Sequence, residues 1–308
     1  MRIGVVSKTD AVTFAQLERA CAAISRQLMD VRAAWNLPED ITIEPCRSRS
    51  DPGNISYVTV SANPLFLSAF SAPAEGNESH GVTRQTSGEH GVIAGNSDEA
   101  DRSDRPYAQV RYVEDRAEDH RWWTVTLSHE CVEMAVNPYM DRAIPGPPLR
   151  DFVAAGHAGE GETVDFLKEI CDPCQSGLHA YPCDLPGSDQ PIWLSDFVLP
   201  EYFNPQAQGA RLSFTGSVTR PREILAHGCL TWGLPRTKKL WQQWRFEDGT
   251  LSDFICVRDW QPGSPSAAKP DPHTSTRHSL YGAQPDYKMH RIPDLQRVAD
   301  VLRQRKPS

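Results

Sequence analysis

Long hydrophobic runs are missing from this sequence. Nowhere do roughly eighteen apolar residues follow one another, which excludes a transmembrane helix. Positive charge is in deficit as well: the formal net charge is −8 and the pI about 5.7. A chain that repels phosphate is a poor partner for nucleic acid, and none is expected. A glycine-rich phosphate cradle, a G-x-S-x-G elbow and a dinucleotide-binding fingerprint are all lacking, which removes the commonest nucleotide and serine-hydrolase readings. The opening Met1–Lys8 has neither the long apolar region nor the small-residue cleavage site of a signal peptide, so it reads as a strand and the expected compartment is the cytoplasm. The eight cysteines are even in number. A cytosolic chain of this size does not need disulfides, however, and clustered cysteines there point to metal or to thiols in the core.

What is present suffices for a real core. The 308 residues are 39% hydrophobic and 23% charged, which excludes a coiled coil, a collagen-like chain and wholesale disorder. Residues 261–308 carry eight basic and four acidic side chains, so the tail is +4 and the body before it −12. After the first strand, Thr13 and Gln16 have capping-box spacing. Behind them Leu17, Cys21, Ile24, Leu28, Val31 and Trp35 form one face of a helix that Leu37-Pro38 should end. Ile41–Glu44, Ile55–Val60 and Tyr107–Val113 read as strands. Between the last two lies a long Gly/Ser/Asn/Asp-rich loop from Ala72 to Arg105, with one short strand at Val92–Ala94. A helix is expected from Trp123 to Val136, stopped by Asn137-Pro138, and a helical segment over Thr163–Ile170. Hairpins are expected within 212–260 around Trp232, Trp241, Trp244 and Trp260, whose role is packing. A Pro/Ser/Ala-rich linker from Gln261 to Ser279 leads to an amphipathic helix from Pro293 to about Gln304. The organisation is therefore a body over 1–260 and an appended linker and helix over 261–308.

The stretch that carries chemistry is Ser128-His129-Glu130-Cys131-Val132-Glu133. On a helix, residues i and i+4 share a face, so His129 and Glu133 can turn an imidazole and a carboxylate toward one metal ion. Glu130, beside the first ligand, would then sit over the open coordination position, where a general base belongs. The surrounding positions Val125, Leu127, Cys131, Val132, Met134, Ala135 and Val136 are apolar. The helix should therefore be largely buried, and buried charges need partners or a metal.

The run SHECVEMAVNP resembles the S-H-E-x-x-E-x-x-[ND]-P signature of zincin-like proteins of bacteria and phages, and is similar to the corresponding motif of the Exordium-like phosphate-induced group. Two further motifs of those proteins follow in order, as Glu169-Ile170-Cys171-Asp172-Pro173 and as Leu194–Phe203. The resemblance covers roughly residues 1–230. It implies an α+β zincin-like domain with a mixed sheet and an active-site helix, and a hydrolase of the metallopeptidase type acting on a peptide or protein substrate. It makes His129 and Glu133 metal ligands, Glu130 the base and Asp172 the third ligand, with Glu169 competing for that place or orienting His129. The strand at 107–113 would be the edge that holds an extended peptide. Zinc is the first expectation. Two carboxylate ligands weaken the metal's acidity and widen the choice toward Mn²⁺ or Fe²⁺.

Other readings compete. Cys171-x2-Cys174-x4-His179-x3-Cys183 is one residue short of a zinc knuckle, and would give a structural zinc or a nucleic-acid binder. A metal-stabilised binding or structural protein without turnover is the main alternative to an enzyme. His157 and His227 lie in small-residue loops and read as surface or ambiguous histidines. Tyr181 and Tyr202 flank the motifs, and either can donate to a developing oxyanion; Tyr181 is taken as the second candidate catalytic group. Neither the substrate nor the oligomeric state follows from the residues.

Overall fold

The computed structural model describes residues 1–48, 55–61, 88–93, 105–112, 122–207 and 209–260. The expected linker and C-terminal helix over 261–308 lie outside the described residues, as does most of the 72–105 loop.

The first half is a mixed sheet with two helices. Strand β1 (Arg2–Ser7) pairs in parallel with β2 (Thr42–Cys46) on one side and β3 (Ile55–Ser61) on the other. Next comes β5 (Arg105–Arg111), parallel to β3, and then β4 (Gly88–Ile93), antiparallel to β5, giving the order β2-β1-β3-β5-β4. The run Ile3–Val6 is buried on both faces, the pattern of a central parallel strand. The expected edge strand at 107–113 is thus internal, and the edge on that side belongs to β4. Residue type cannot distinguish the two, because edge position depends on which strand pairs last.

Helix α1 (Phe14–Trp35) starts as its residues dictate. Thr13 accepts from the N–H of Gln16, and the Gln16 side chain returns to the Thr13 backbone. Leu17, Cys21, Ile24, Leu28 and Val31 form its buried face. It ends at Asn36, just before the expected stop, where a left-handed backbone (φ 51°) turns the chain. Helix α2 (Trp122–Val136) packs on this sheet, on α1 and on strand β9 (Ile192–Leu194). Its residues Leu127, Cys131, Val132, Met134, Ala135 and Val136 are buried, as the apolar circumference predicts.

The second half is an antiparallel sheet, β12-β11-β10-β7-β6, whose members are β6 (Ala143–Gly146), β7 (Val164–Leu167), β10 (Cys229–Leu234), β11 (Lys239–Trp244) and β12 (Ile255–Asp259). The short helix α3 (Arg150–Ala154) follows β6. The helix expected over Thr163–Ile170 is instead strand β7. Val164 and Phe166 enter the core while β6 and β10 satisfy the backbone, so tertiary pairing overrides local preference. The hairpins of 212–260 are β10, β11 and β12. Trp232, Trp244 and Trp260 are buried, and Trp232 and Trp241 pack on Phe152 with ring centroids 5.2 Å apart. Between β7 and β10 run two single 3-10 turns (Asp172–Cys174 and Gly177–His179) and a hairpin of β8 (Tyr181–Cys183) and β9 (Ile192–Leu194), followed by a 3-10 turn at Pro200–Phe203. The architecture is α+β, with sheets dominant and helices few. Among the described residues no helix is long and apolar enough to cross a membrane.

Candidate metal centre

Two pieces of chain meet at the candidate site: the middle of α2 and the irregular segment between β7 and β8. The i, i+4 spacing does what helical geometry requires, and His129 Nε2 lies 3.1 Å from Glu133 Oε2. The other oxygen of Glu133 is held from the second piece, accepting from the backbone N–H of Cys171 at 2.9 Å and of Asp172 at 3.3 Å. Glu133 is therefore a fixed carboxylate with one oxygen anchored and one turned to the imidazole. Asp172 Oδ1 is 3.6 Å from His129 Nε2.

A residue that sequence reasoning assigned elsewhere joins the pair as well. Ligand atoms of His129, Glu133 and Cys171 all lie within 4.8 Å of one another, and among the described residues this is the set of three or more that can hold a metal ion. Ligands around a tetrahedral zinc are roughly 3.3–3.8 Å apart, from bond lengths of roughly 2.0–2.3 Å, so a small closing movement suffices. The donors are a nitrogen, an oxygen and a sulfur, which suits a borderline divalent ion. Cys171 was visible in sequence only as part of a near-knuckle. Cys174, His179 and Cys183 do not join it in a four-ligand set among the described residues.

Glu169 sits to one side, its Oε1 accepting from Asn137 Nδ2 at 2.9 Å. Asn137 is wholly buried, and its own oxygen accepts from the N–H groups of Asp141 (3.0 Å) and Arg142 (2.8 Å). It thereby latches the end of α2 to the segment bearing the second set of candidate ligands. Ser128 ties the middle of α2 to the chain after β9: its hydroxyl donates to Val125 O and accepts from Ser195 N, both at 2.8 Å. Asn137 was read only as part of the helix stop and Ser128 had no assigned role, and their spacing gave no hint of these distant partners.

The neighbourhood is closed and acidic. His129 is 5% exposed, and Glu130, Glu133, Glu169 and Asp172 are buried around it. Burial alone would push the His129 pKa down, but the Glu133 carboxylate, its hydrogen bond and the charge of Glu130 outweigh that and raise it. Burial first, then the charge of Glu133, hold the Cys171 thiol well above the usual range. A coordinated metal reverses this, since a coordinating thiol is deprotonated outright.

Other sequence candidates have structural places. Tyr181, on β8, packs its ring on Phe214 at 4.9 Å and sets its hydroxyl beside Gln27. Tyr202 is buried and donates to Glu223 O at 3.2 Å. His157 stacks on Phe152 at 5.1 Å and belongs to the tryptophan cluster. His227 has a left-handed backbone (φ 66°), and its carbonyl accepts from Gln175 Nε2 at 2.7 Å. The adjacent Gly228 passes so close to the Asp172 and Pro173 carbonyls that an added Cβ would collide with them. Asp196 is a structural knot: Oδ1 accepts from Phe197 N and Thr215 N, both at 2.9 Å, and Oδ2 from the Thr215 and Ser217 hydroxyls, both at 2.6 Å. The chain matches no family model, no curated protein and no solved structure.

Proposed function

We propose that this chain is a metal-dependent hydrolase of the peptidase class, with a zincin-like body over residues 1–260. The observation that carries this reading is the gathering of His129, Glu133 and the 169–172 segment around one point, with Glu130 next to the first ligand. The resemblance adds support, because the hydrogen bonds tie its three motifs to one another. Glu133 meets Cys171 and Asp172, Ser128 meets Ser195, and Val198 N donates to Ile170 O at 2.7 Å.

His129 and Glu133 would hold the ion, with a further donor from Cys171 or Asp172; zinc suits the set best, manganese or iron less well. When bound, the ion supplies Lewis acidity toward a carbonyl oxygen and toward water. Glu130, buried and close enough to bias His129 electrostatically, accepts a proton and passes it to the leaving amine. Glu169 and Asn137 keep the segment opposite α2 in place. Strand β4, at the end of the mixed sheet and two strands from β3, offers a backbone edge to an extended peptide. Tyr181, with its hydroxyl beside Gln27, serves better as a wall than as an oxyanion donor.

Metal content by elemental analysis tests the centre, and Glu130→Gln tests the enzyme. About one divalent ion per chain is expected, lost in His129→Ala and in Glu133→Ala. Glu130→Gln keeps the ion and lowers cleavage of a peptide library on the order of 10²–10⁴-fold. Full metal in both ligand variants removes the centre. A wild-type protein that holds zinc and cleaves nothing favours the second reading, a metal-stabilised binding or structural protein, which the depth of burial of His129 and Glu133 supports.

A further inference from the structure

We propose that sulfur completes the centre: Cys171 Sγ is the third ligand, and the site therefore selects zinc or cobalt over manganese or magnesium. The inference rests on the metal-centre reading above and sharpens what that centre accepts.

Three candidate donors arrive on the segment after β7, and the structure sorts them. Glu169 is turned toward Asn137, which donates to its Oε1 at 2.9 Å. Asp172 approaches His129 at 3.6 Å, and the buried thiol of Cys229 lies close enough to feel its charge. Cys171 has its sulfur in the same small volume as the His129 and Glu133 donor atoms, and its backbone N–H is locked to Glu133 Oε1 at 2.9 Å. That lock fixes the Cys171 backbone relative to one ligand and leaves Glu133 Oε2 facing His129. A carboxylate and a thiolate together offset the charge of a dication within the ligand set itself. Asp172 is then an outer group that orients rather than coordinates.

Ligand softness decides the metal. Thiolate favours zinc and cobalt, whereas an imidazole with carboxylates alone would accept manganese or magnesium as readily as their concentrations allow. Cys171 is fully buried and unpaired by any disulfide, so it is available to an ion that enters and shielded from bulk oxidants.

The full chain, stripped with a chelator and reloaded with Co²⁺, provides the test, because cobalt–thiolate bonding gives an intense near-ultraviolet charge-transfer band. The band should be present in wild type and in Cys174→Ser and Cys183→Ser, and absent in Cys171→Ser. Zinc affinity in Cys171→Ser should fall by more than about 100-fold, the upper range for losing a mere outer-shell partner, while manganese affinity changes far less. Should Cys171→Ser fail to fold, zinc-edge X-ray absorption on wild type reads the same fact without a variant: one sulfur at roughly 2.3 Å beside nitrogen and oxygen at roughly 2.0–2.2 Å. Cobalt bound in a His129-dependent manner, with no charge-transfer band and no sulfur at the zinc edge, would overturn the sulfur ligand and leave the centre standing. A wild type that binds neither ion would overturn both.

Discussion

The two sides of the site are built by different means. His129, Glu130 and Glu133 stand on α2, where one turn of helix sets their relation and an apolar surround buries them. Glu169, Cys171 and Asp172 stand on a stretch with little regular structure, and bonds from elsewhere set their relation. Val198 N holds Ile170 O, Leu225 N holds Pro173 O at 2.9 Å, Asn137 holds Glu169, and Glu133 gathers two backbone N–H groups. A helix positions side chains by period, which neighbours hardly perturb. The irregular side depends on each of several distant contacts, and substitutions far from the ligands should disturb it.

The largest expected effect is at the residue common to both sides. Glu133→Ala removes a donor atom and leaves the N–H groups of Cys171 and Asp172 without their acceptor. A loss of about 3–5 kcal/mol of stability is expected even in metal-free protein, the cost of breaking a buried, hydrogen-bonded ionic group. Chemical denaturation of stripped protein measures it. Glu133→Gln, which keeps an oxygen for those donors, should recover more than half of that stability without recovering the ion. Equal loss in both variants would mean that the carboxylate charge, not the bond to the irregular side, is what matters.

Next comes Asn137→Ala, which strands the backbone N–H groups of Asp141 and Arg142 and removes the donor to Glu169. About 2 kcal/mol is expected, since a stranded buried group costs about 1–3 kcal/mol and these two N–H groups are only part-buried. Metal affinity should weaken too, although Asn137 supplies no donor atom. Unchanged affinity would show that the irregular segment keeps its place without this latch.

Gly228→Ala attacks the irregular side from behind, where the added methyl meets the Asp172 and Pro173 carbonyls. A cost of about 1–3 kcal/mol fits forced overpacking. Because those carbonyls belong to the segment beside Cys171, zinc affinity should fall along with thermal stability. The smallest effect is expected on the regular half. Thr13→Ala deletes the α1 cap and should cost about 1 kcal/mol, with metal binding unaltered, because α1 is set by its own period and buried face. A Thr13→Ala variant with weakened metal binding would show that the two sides are not as separate as their construction suggests.

The helix-borne half of this comparison was legible in the residues. The capping box at Thr13, the buried stripe from Leu17 to Val31, the apolar circumference of α2 and the pairing of His129 with Glu133 all follow from a 3.6-residue period. The strands β1, β2, β3 and β5 were legible within a residue or two at their ends, because their β-branched and aromatic residues suit a pleated strand. Residues 164–167 were misread as helix, since four residues carry little periodic signal and the deciding partners, β6 and β10, lie about twenty residues before and sixty after. The edge was placed on β5 rather than β4 because neither residue type nor spacing encodes which strand is outermost.

Sequence alone determined that this protein has a buried helix presenting an imidazole and two carboxylates, since helical period and hydrophobic burial are local and act on adjacent residues. Tertiary structure decided what faces them. Whether Glu169, Cys171 or Asp172 reaches the ligand pair depends on the path of an irregular segment, and that path is set by hydrogen bonds to residues from 133 to 225 that no spacing in the chain announces. Cys171 came to the site because Glu133 binds its backbone N–H, a contact across 38 positions of sequence. Such long-range contacts form only when the assembled core brings both partners together and holds them dry.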